Sequence, residues 1–187
     1  MNESKIKEKS KLVGTILFFI FTGLLLFYIL IEAFLPDMTI KIFQFKPFVV
    51  ITESMEPVLN VNDMVIAYNP NVENLEVGDI ITFRADIDYN GTKEIVTHYI
   101  FSITVDGNGN REFRTNRYGS TVPDTWRLYD QDIIGVYGFH IPKIGIVLQF
   151  LKSPFGIAAV GVNLVIIGAI VFIVKSDKKK VKMETEL

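Results

Sequence analysis

The stretch Asn90-Gly91-Thr92-Lys93-Glu94-Ile95-Val96-Thr97-His98-Tyr99-Ile100-Phe101-Ser102-Ile103 decides how the middle of this chain folds. β-branched and aromatic residues fill Ile95–Ile103, a turn signal Asn90-Gly91 precedes them and the cluster Asp106-Gly107-Asn108-Gly109 follows. Such a run between two tight turns has the composition of a strand, not of a helix, so Thr92–Ile103 is expected to be a strand held between hairpin or loop tips. A histidine, His98, stands in the middle of it.

Working outward, four further runs have strand character: Phe48–Thr52, Met64–Tyr68, Asp79–Phe83 and Ile133–Val136, punctuated by turn signals such as Asn69-Pro70. From Met38 to Lys152 no sustained helical period, repeat, low-complexity tract or interdomain linker interrupts them. The fold class expected is therefore mainly β, one compact β-rich domain over residues 36–152, large enough for a single core.

On either side the composition changes sharply. Residues 1–11 carry Lys5, Lys7, Lys9 and Lys11, and residues 12–35 open with the uncharged run Leu12–Ile31. At about 1.5 Å per helical residue this run covers a hydrocarbon core of about 30 Å. A cleavable leader would have a shorter apolar core and small residues near its cut site, whereas Glu32, Phe34 and Pro36 follow here, so residues 12–35 are expected to stay as a transmembrane helix. A second uncharged run, residues 153–174, lies between Lys152 and Lys175, and the basic tail 175–187 follows with Lys178, Lys179, Lys180 and Lys182. The positive-inside rule then puts residues 1–11 and 175–187 in the cytoplasm and residues 36–152 outside, the topology of a multi-pass cell-membrane protein.

Composition also excludes chemistry. The 187-residue chain has no cysteine, which removes disulfides, thiolate nucleophiles and thiolate metal sites, and with them sortase-like or papain-like peptidases. Two histidines cannot form a histidine-rich metal site, and no cofactor or metal is expected. A formal charge of -2 offers no basic field for a nucleic acid.

One candidate nucleophile is a serine. In Ile51-Thr52-Glu53-Ser54-Met55-Glu56-Pro57-Val58-Leu59 the apolar run Phe48–Ile51 breaks into a serine followed by a proline, which sets Ser54 at a strand exit open to substrate. A serine hydroxyl is a poor nucleophile without a base. His98 is the expected base; His140, before Ile141-Pro142, reads as a connector, and Lys93 after Asn90-Gly91-Thr92 reads as a solvated amine unsuited to a serine–lysine dyad.

Ser54-Met55-Glu56-Pro57, then Gly78-Asp79-Ile80-Ile81-Thr82-Phe83, then Val96-Thr97-His98-Tyr99-Ile100 resemble three ordered boxes of the type I signal peptidases, in the branch that uses histidine where the common bacterial enzymes use lysine. Asp132-Ile133-Ile134-Gly135 and Ile141-Pro142-Lys143-Ile144-Gly145 resemble that family's closing strands. The resemblance implies a signal-peptidase-type catalytic domain flanked by an N-terminal and a C-terminal transmembrane helix. Its implied activity is that of a serine endopeptidase cutting signal peptides from secretory preproteins at the surface of the lipid bilayer. It carries Ser54 over as nucleophile and His98 as general base. The family's usual Thr-Lys-Gly-Asp-x-Asn appears here as Thr115-Asn116-Arg117-Tyr118-Gly119-Ser120, so Tyr118 replaces an aspartate, while Asp124 keeps the position of a second aspartate and is the match for the carboxylate that orients histidine. Asp88, Asp130 and Asp132 read as turn or cap residues. By the same resemblance the oxyanion donors are the Ser54 amide and the Thr52 hydroxyl, with Glu53 standing where relatives carry glycine.

Phe43, Phe45, Pro47 and Phe48 are placed to seat the domain at the membrane interface, and the cut segment is expected to add as a strand beside the run leading to Ser54 or the one carrying His98. The sequence names no accessory subunit. Two competing classes are a catalytically reduced membrane scaffold or binding subunit, suggested by Tyr118, and a self-cleaving repressor-like peptidase, which the two apolar runs disfavour.

Overall fold

The computed structural model describes residues 3–185. Helix α1 spans Glu3–Phe34, and its segment Lys9–Phe34 is long and apolar enough to cross a membrane, with mean hydropathy 2.5 over its best window and none of that window buried against the protein. At Leu35 the helix breaks, because Pro36 lacks the N–H that would continue it, and Pro36 instead starts α2, Pro36–Phe43, with Asp37 in its first turn and Lys41 in its last. Gln44, in the left-handed conformation, ends α2 and turns the chain into the sheet.

Seven strands then form one antiparallel sheet in the order β1-β2-β7-β3-β4-β5-β6, where β1 is Phe45–Val49, β2 Met64–Tyr68, β3 Ile80–Ala85, β4 Glu94–Val105, β5 Arg111–Asn116, β6 Leu128–Tyr129 and β7 Ile133–Ile141. The mainly β expectation is met, and β2 has the expected bounds. Four expectations are corrected. The first strand ends at Val49, so Ser54 lies in a turn beyond it and not at the strand exit. Strands β5 and β6 carry too little apolar sequence to stand out. Two helices, α2 and α3 (Ile144–Lys152), occupy ground where no helical period was expected. The Ile141–Gly145 stretch is no closing strand either: β7 stops at Ile141, where Pro142 cannot extend a ladder, and Lys143 in the left-handed conformation opens α3.

Two apolar clusters hold the sheet. The larger joins Leu75, Ile81, Phe83, Ala85, Ile100, Phe113, Leu128 and Ile133, with Trp126 packed against it. The smaller joins Met55, Leu59 and Val65, with Val50, Val58, Ile80, Tyr99 and Tyr137 around them. Gly145 lets α3 approach closely: a Cβ there would lie 2.6 Å from the Asn62 carbonyl oxygen, the same oxygen that accepts the Gly145 N–H at 2.9 Å.

Beyond α3 the helix α4, Pro154–Thr185, covers the second apolar run. Among the described residues, Ile144–Lys152 and Pro154–Ile170 together have the length and composition of a span, and they meet at a 79° bend. At the other end, Lys46 of β1 is buried and ties α1 to the sheet, its Nζ 2.9 Å from Glu32 Oε1 and donating to the Pro36 carbonyl at 2.8 Å. Arg84 of β3 pairs with Asp37 of α2. Phe43 and Phe45 pack on the Tyr28 ring of α1, at 4.9 and 6.0 Å between centroids, so these aromatics bridge helix and sheet.

Candidate active site

The turn that carries Ser54 is built from the core outward. Met55 and Leu59 are almost wholly buried in the smaller cluster, at 2% and 0% exposure, and pull residues 54–59 down onto the sheet. Backbone bonds close the turn: Glu56 N to Glu53 O, Val58 N to Met55 O and Leu59 N to Met55 O. Val50 N to Asp63 O and Asn62 N to Val50 O fasten its base. With Met55 pointing inward, its neighbour Ser54 points the other way, half-buried, toward β4.

His98 meets it there. His98 lies in β4 opposite Ile81 of β3, is 5% exposed, and is packed by the edge of Phe83 and the face of Trp126, with centroids 6.3 and 6.1 Å away. Its Nε2 is 3.0 Å from Ser54 Oγ and its Nδ1 is 2.8 Å from Asp124 Oδ2. The structure thus brings Ser54, His98 and Asp124 into one hydrogen-bonded line. Asp124 is fixed from its own side, its N–H donating to the Thr115 carbonyl at 2.7 Å and its carbonyl accepting from Arg114. Thr52 Oγ1 is 3.3 Å from Ser54 Oγ, and Thr52 and Glu53 are both exposed.

The alternatives lie elsewhere. Lys93 is exposed and binds Asp132 Oδ1 at 2.7 Å, away from the serine, while Asp132 also accepts the Tyr129 N–H. Asp130 and Asp132 form a 3-10 turn before β7. Asp88 caps the Asn90 turn. His140 bonds Tyr137 Oη through Nδ1 at 2.9 Å and faces Asp63, a structural role. Tyr118 sends its ring outward, and what it gives the site is a backbone N–H, donated to the Ser54 carbonyl at 3.1 Å. Burial raises the pKa of the nearby Tyr99 phenol, and the phenols of Tyr118 and Tyr137 add to that. Two residues that touch the site have no role in the sequence reading: Thr115 donates its hydroxyl to Asp124 Oδ2 at 2.6 Å, and Trp126 Nε1 donates to Thr115 Oγ1 at 3.0 Å. Their only sequence signals are the place of Thr115 at the head of an altered box and the single tryptophan of the chain.

A groove of about 650 Å³ opens beside the three residues. Residues 48–52 and Ser54 line it together with residues 94–98, Ile87 and Trp126. Between Glu94 and His98, β4 pairs with β3 on one side only, because pairing with β5 begins at Tyr99. An unpaired strand edge therefore runs along an apolar slot to the Ser54–His98 pair. A serine, an imidazole and a carboxylate in line beside a groove are a set of groups that can support acyl transfer. Residues 18–100 match the signal peptidase family, peptidase S26. The signal-peptidase match supports a hydrolase of that family and includes Ser54 and His98, while Asp124 lies beyond it. No curated protein matches the chain.

Among the described residues, Asp86, Asp88 and Glu94 are the acidic side chains that could hold a metal ion, with carboxylate oxygens within 4.8 Å of one another. Their bonds to the Ile87, Asn90 and Gly91 N–H groups organise the β3–β4 turn.

Proposed function

We propose that this chain is a membrane-anchored serine endopeptidase that removes N-terminal signal peptides from secretory preproteins, with Ser54 as nucleophile, His98 as general base and Asp124 as the carboxylate that orients the imidazole. The observation that carries this reading is the unbroken line Ser54 Oγ–His98 Nε2–His98 Nδ1–Asp124 Oδ2 at 3.0 and 2.8 Å. With the Nδ1 proton held by Asp124, Nε2 presents its lone pair to the Ser54 proton. It takes that proton as Oγ attacks the scissile carbonyl, then returns it to the leaving amine, and water repeats the cycle to free the acyl-enzyme. Asp124 stays ionised and stabilises the imidazolium. The Ser54 amide and Thr52 hydroxyl receive the oxyanion, Thr52 exchanging its contact with Ser54 Oγ for the substrate oxygen.

The cut segment adds to the open edge of β4 at 94–98, and shallow apolar walls suit the small residues that end signal peptides. The α1 segment Lys9–Phe34 anchors the domain, α3 and α4 return the chain across the same membrane, and both termini are cytoplasmic. Detergent-solubilised full-length protein should release the mature chain from a preprotein with small residues at its cut site, and Ser54→Ala should not. Absence of release at any pH would favour the scaffold reading, whose support is Tyr118 in the place of an aspartate.

A further inference from the structure

We propose that Thr115 and Trp126 are positioning residues that set the direction of the hydrogen bonds through Asp124 to His98, an inference that rests on the serine peptidase reading of the site. An indole N–H can only donate, so the 3.0 Å bond from Trp126 Nε1 makes Thr115 Oγ1 an acceptor. A threonine hydroxyl has a single proton. With the indole on one lone pair, that proton is aimed at Asp124 Oδ2, 2.6 Å away. The same carboxylate oxygen takes the proton on His98 Nδ1 at 2.8 Å, and Nε2 is left as the acceptor that faces Ser54 Oγ at 3.0 Å. Polarity is thus fixed from the indole inward: Trp126 to Thr115 to Asp124, His98 to Asp124, Ser54 to His98.

Burial makes this arrangement consequential. Thr115 is 0% exposed, and water cannot replace its hydroxyl if it turns away. Asp124 belongs to a loop, residues 117–127, and the carboxylate of a loop residue needs a fixed partner to stay in the imidazole plane. Thr115, on β5, supplies two such partners, its hydroxyl for the side chain and its carbonyl for the Asp124 N–H at 2.7 Å. Trp126 also lies over the face of His98, at 6.1 Å between centroids, and lines the groove, so one side chain contacts the base and orders the donor two bonds away from it.

A role in packing alone predicts a different outcome from a role in direction, and three variants separate them. Thr115→Val keeps the shape and removes the hydroxyl, Thr115→Ser keeps the hydroxyl and removes a methyl group, and Trp126→Phe keeps an aromatic ring and removes the N–H. On the full-length protein in detergent, with a preprotein of small cut-site residues, kcat should fall about tenfold or more in Thr115→Val with KM within about twofold. Thr115→Ser should stay within about threefold of the original, and Trp126→Phe should lie between them because its Thr115 hydroxyl is free to rotate. Melting temperature is measured for all three, and activity is compared per folded molecule. Equal kcat in Thr115→Val and Thr115→Ser, a loss confined to KM, or a loss that only follows the folded fraction overturns the proposal. Should Thr115→Val not fold, a folded Trp126→Phe with unchanged kcat overturns it and one with lowered kcat supports it. Failure of the unaltered chain to cleave would sink the peptidase reading itself, whereas a cleaving chain indifferent to these substitutions sinks the positioning role alone.

Discussion

Asp124 accepts from His98 and Thr115 on one oxygen, while the other acidic residues near in sequence are committed to turns and to Lys93. Asparagine at position 124 keeps the size of the side chain but can donate where the carboxylate only accepts, which permits the wrong imidazole tautomer. Turnover of Asp124→Asn should therefore drop by orders of magnitude with the fold retained, and Asp130→Asn and Asp132→Asn, assayed in parallel, should fall far less. A silent Asp124→Asn would leave a Ser54–His98 dyad. Lys93→Met should keep most of the turnover, because that amine is exposed and bound to Asp132, whereas His98→Ala should abolish it; the reverse pattern would point to lysine chemistry. That Ser54, His98 and Asp124 come together could be expected from the sequence, since each stands in or at a fixed offset from a box of the family it resembles. Thr115 and Trp126 could not, because a hydrogen bond between side chains of a strand and a loop leaves no periodic trace.

Among the elements, those rich in Val, Ile and Phe were legible and those held by charge were not. Strand β5 reads Arg-Glu-Phe-Arg-Thr-Asn, yet Glu112 and Thr115 are buried, Glu112 beside Arg127 at 3.1 Å and Thr115 between Trp126 and Asp124. Alternation there is masked because the buried polar groups find partners that only the folded chain supplies. Asp63, just before β2, is a second buried charge of this kind. It is 1% exposed and joins three segments, accepting Asn60 N–H at 2.9 Å and Lys143 N–H at 3.1 Å, with His140 Nε2 3.8 Å away. Burial pushes its pKa up, but the Asn60 and Lys143 amides and the His140 ring together outweigh burial and hold the pKa below the ordinary 3.8. A folded pKa below the unfolded one makes a stabilising contribution that is whole above about pH 4 and is lost as pH falls through the folded value. Melting temperature should thus decline as pH is lowered below about 4, and this part of the decline should vanish in Asp63→Asn. Asp63→Ala, which leaves the Asn60 and Lys143 amides without their acceptor, should lower the melting temperature at neutral pH; a melting curve that Asp63→Ala leaves unchanged would refute the account.

For the whole molecule, the proposed topology has both termini in the cytoplasm and the β domain outside. The chain has no cysteine, so single introduced cysteines report position without background. A cysteine replacing the exposed Asn108 should react with an impermeant thiol reagent on intact cells, and one replacing Ser176 should stay protected. The opposite labelling would overturn the proposed orientation and with it the proposed access of Ser54 to exported substrates. The overall plan of a β domain behind an apolar helix was readable because hydropathy and strand composition are local properties. The 79° bend between α3 and α4 was not read from the sequence: Pro154 marks the break, but a proline does not set the angle at which the two helices meet.

The open edge of β4 has one more consequence. Bare strand edges are where sheets of different molecules join and grow into aggregates, and proteins blunt them with charge, prolines or covering segments. Here the stretch from Glu94 to His98 is bare on one side, but it borders a groove that residues 48–52 and Ser54 also line, so the edge opens into a slot and not onto free solvent. On the proposed function such a slot takes one added strand, so a docked peptide would end the sheet instead of seeding the next layer. The chain can keep a sticky edge permanently exposed to extended, apolar polypeptide without becoming a template for its own polymerisation.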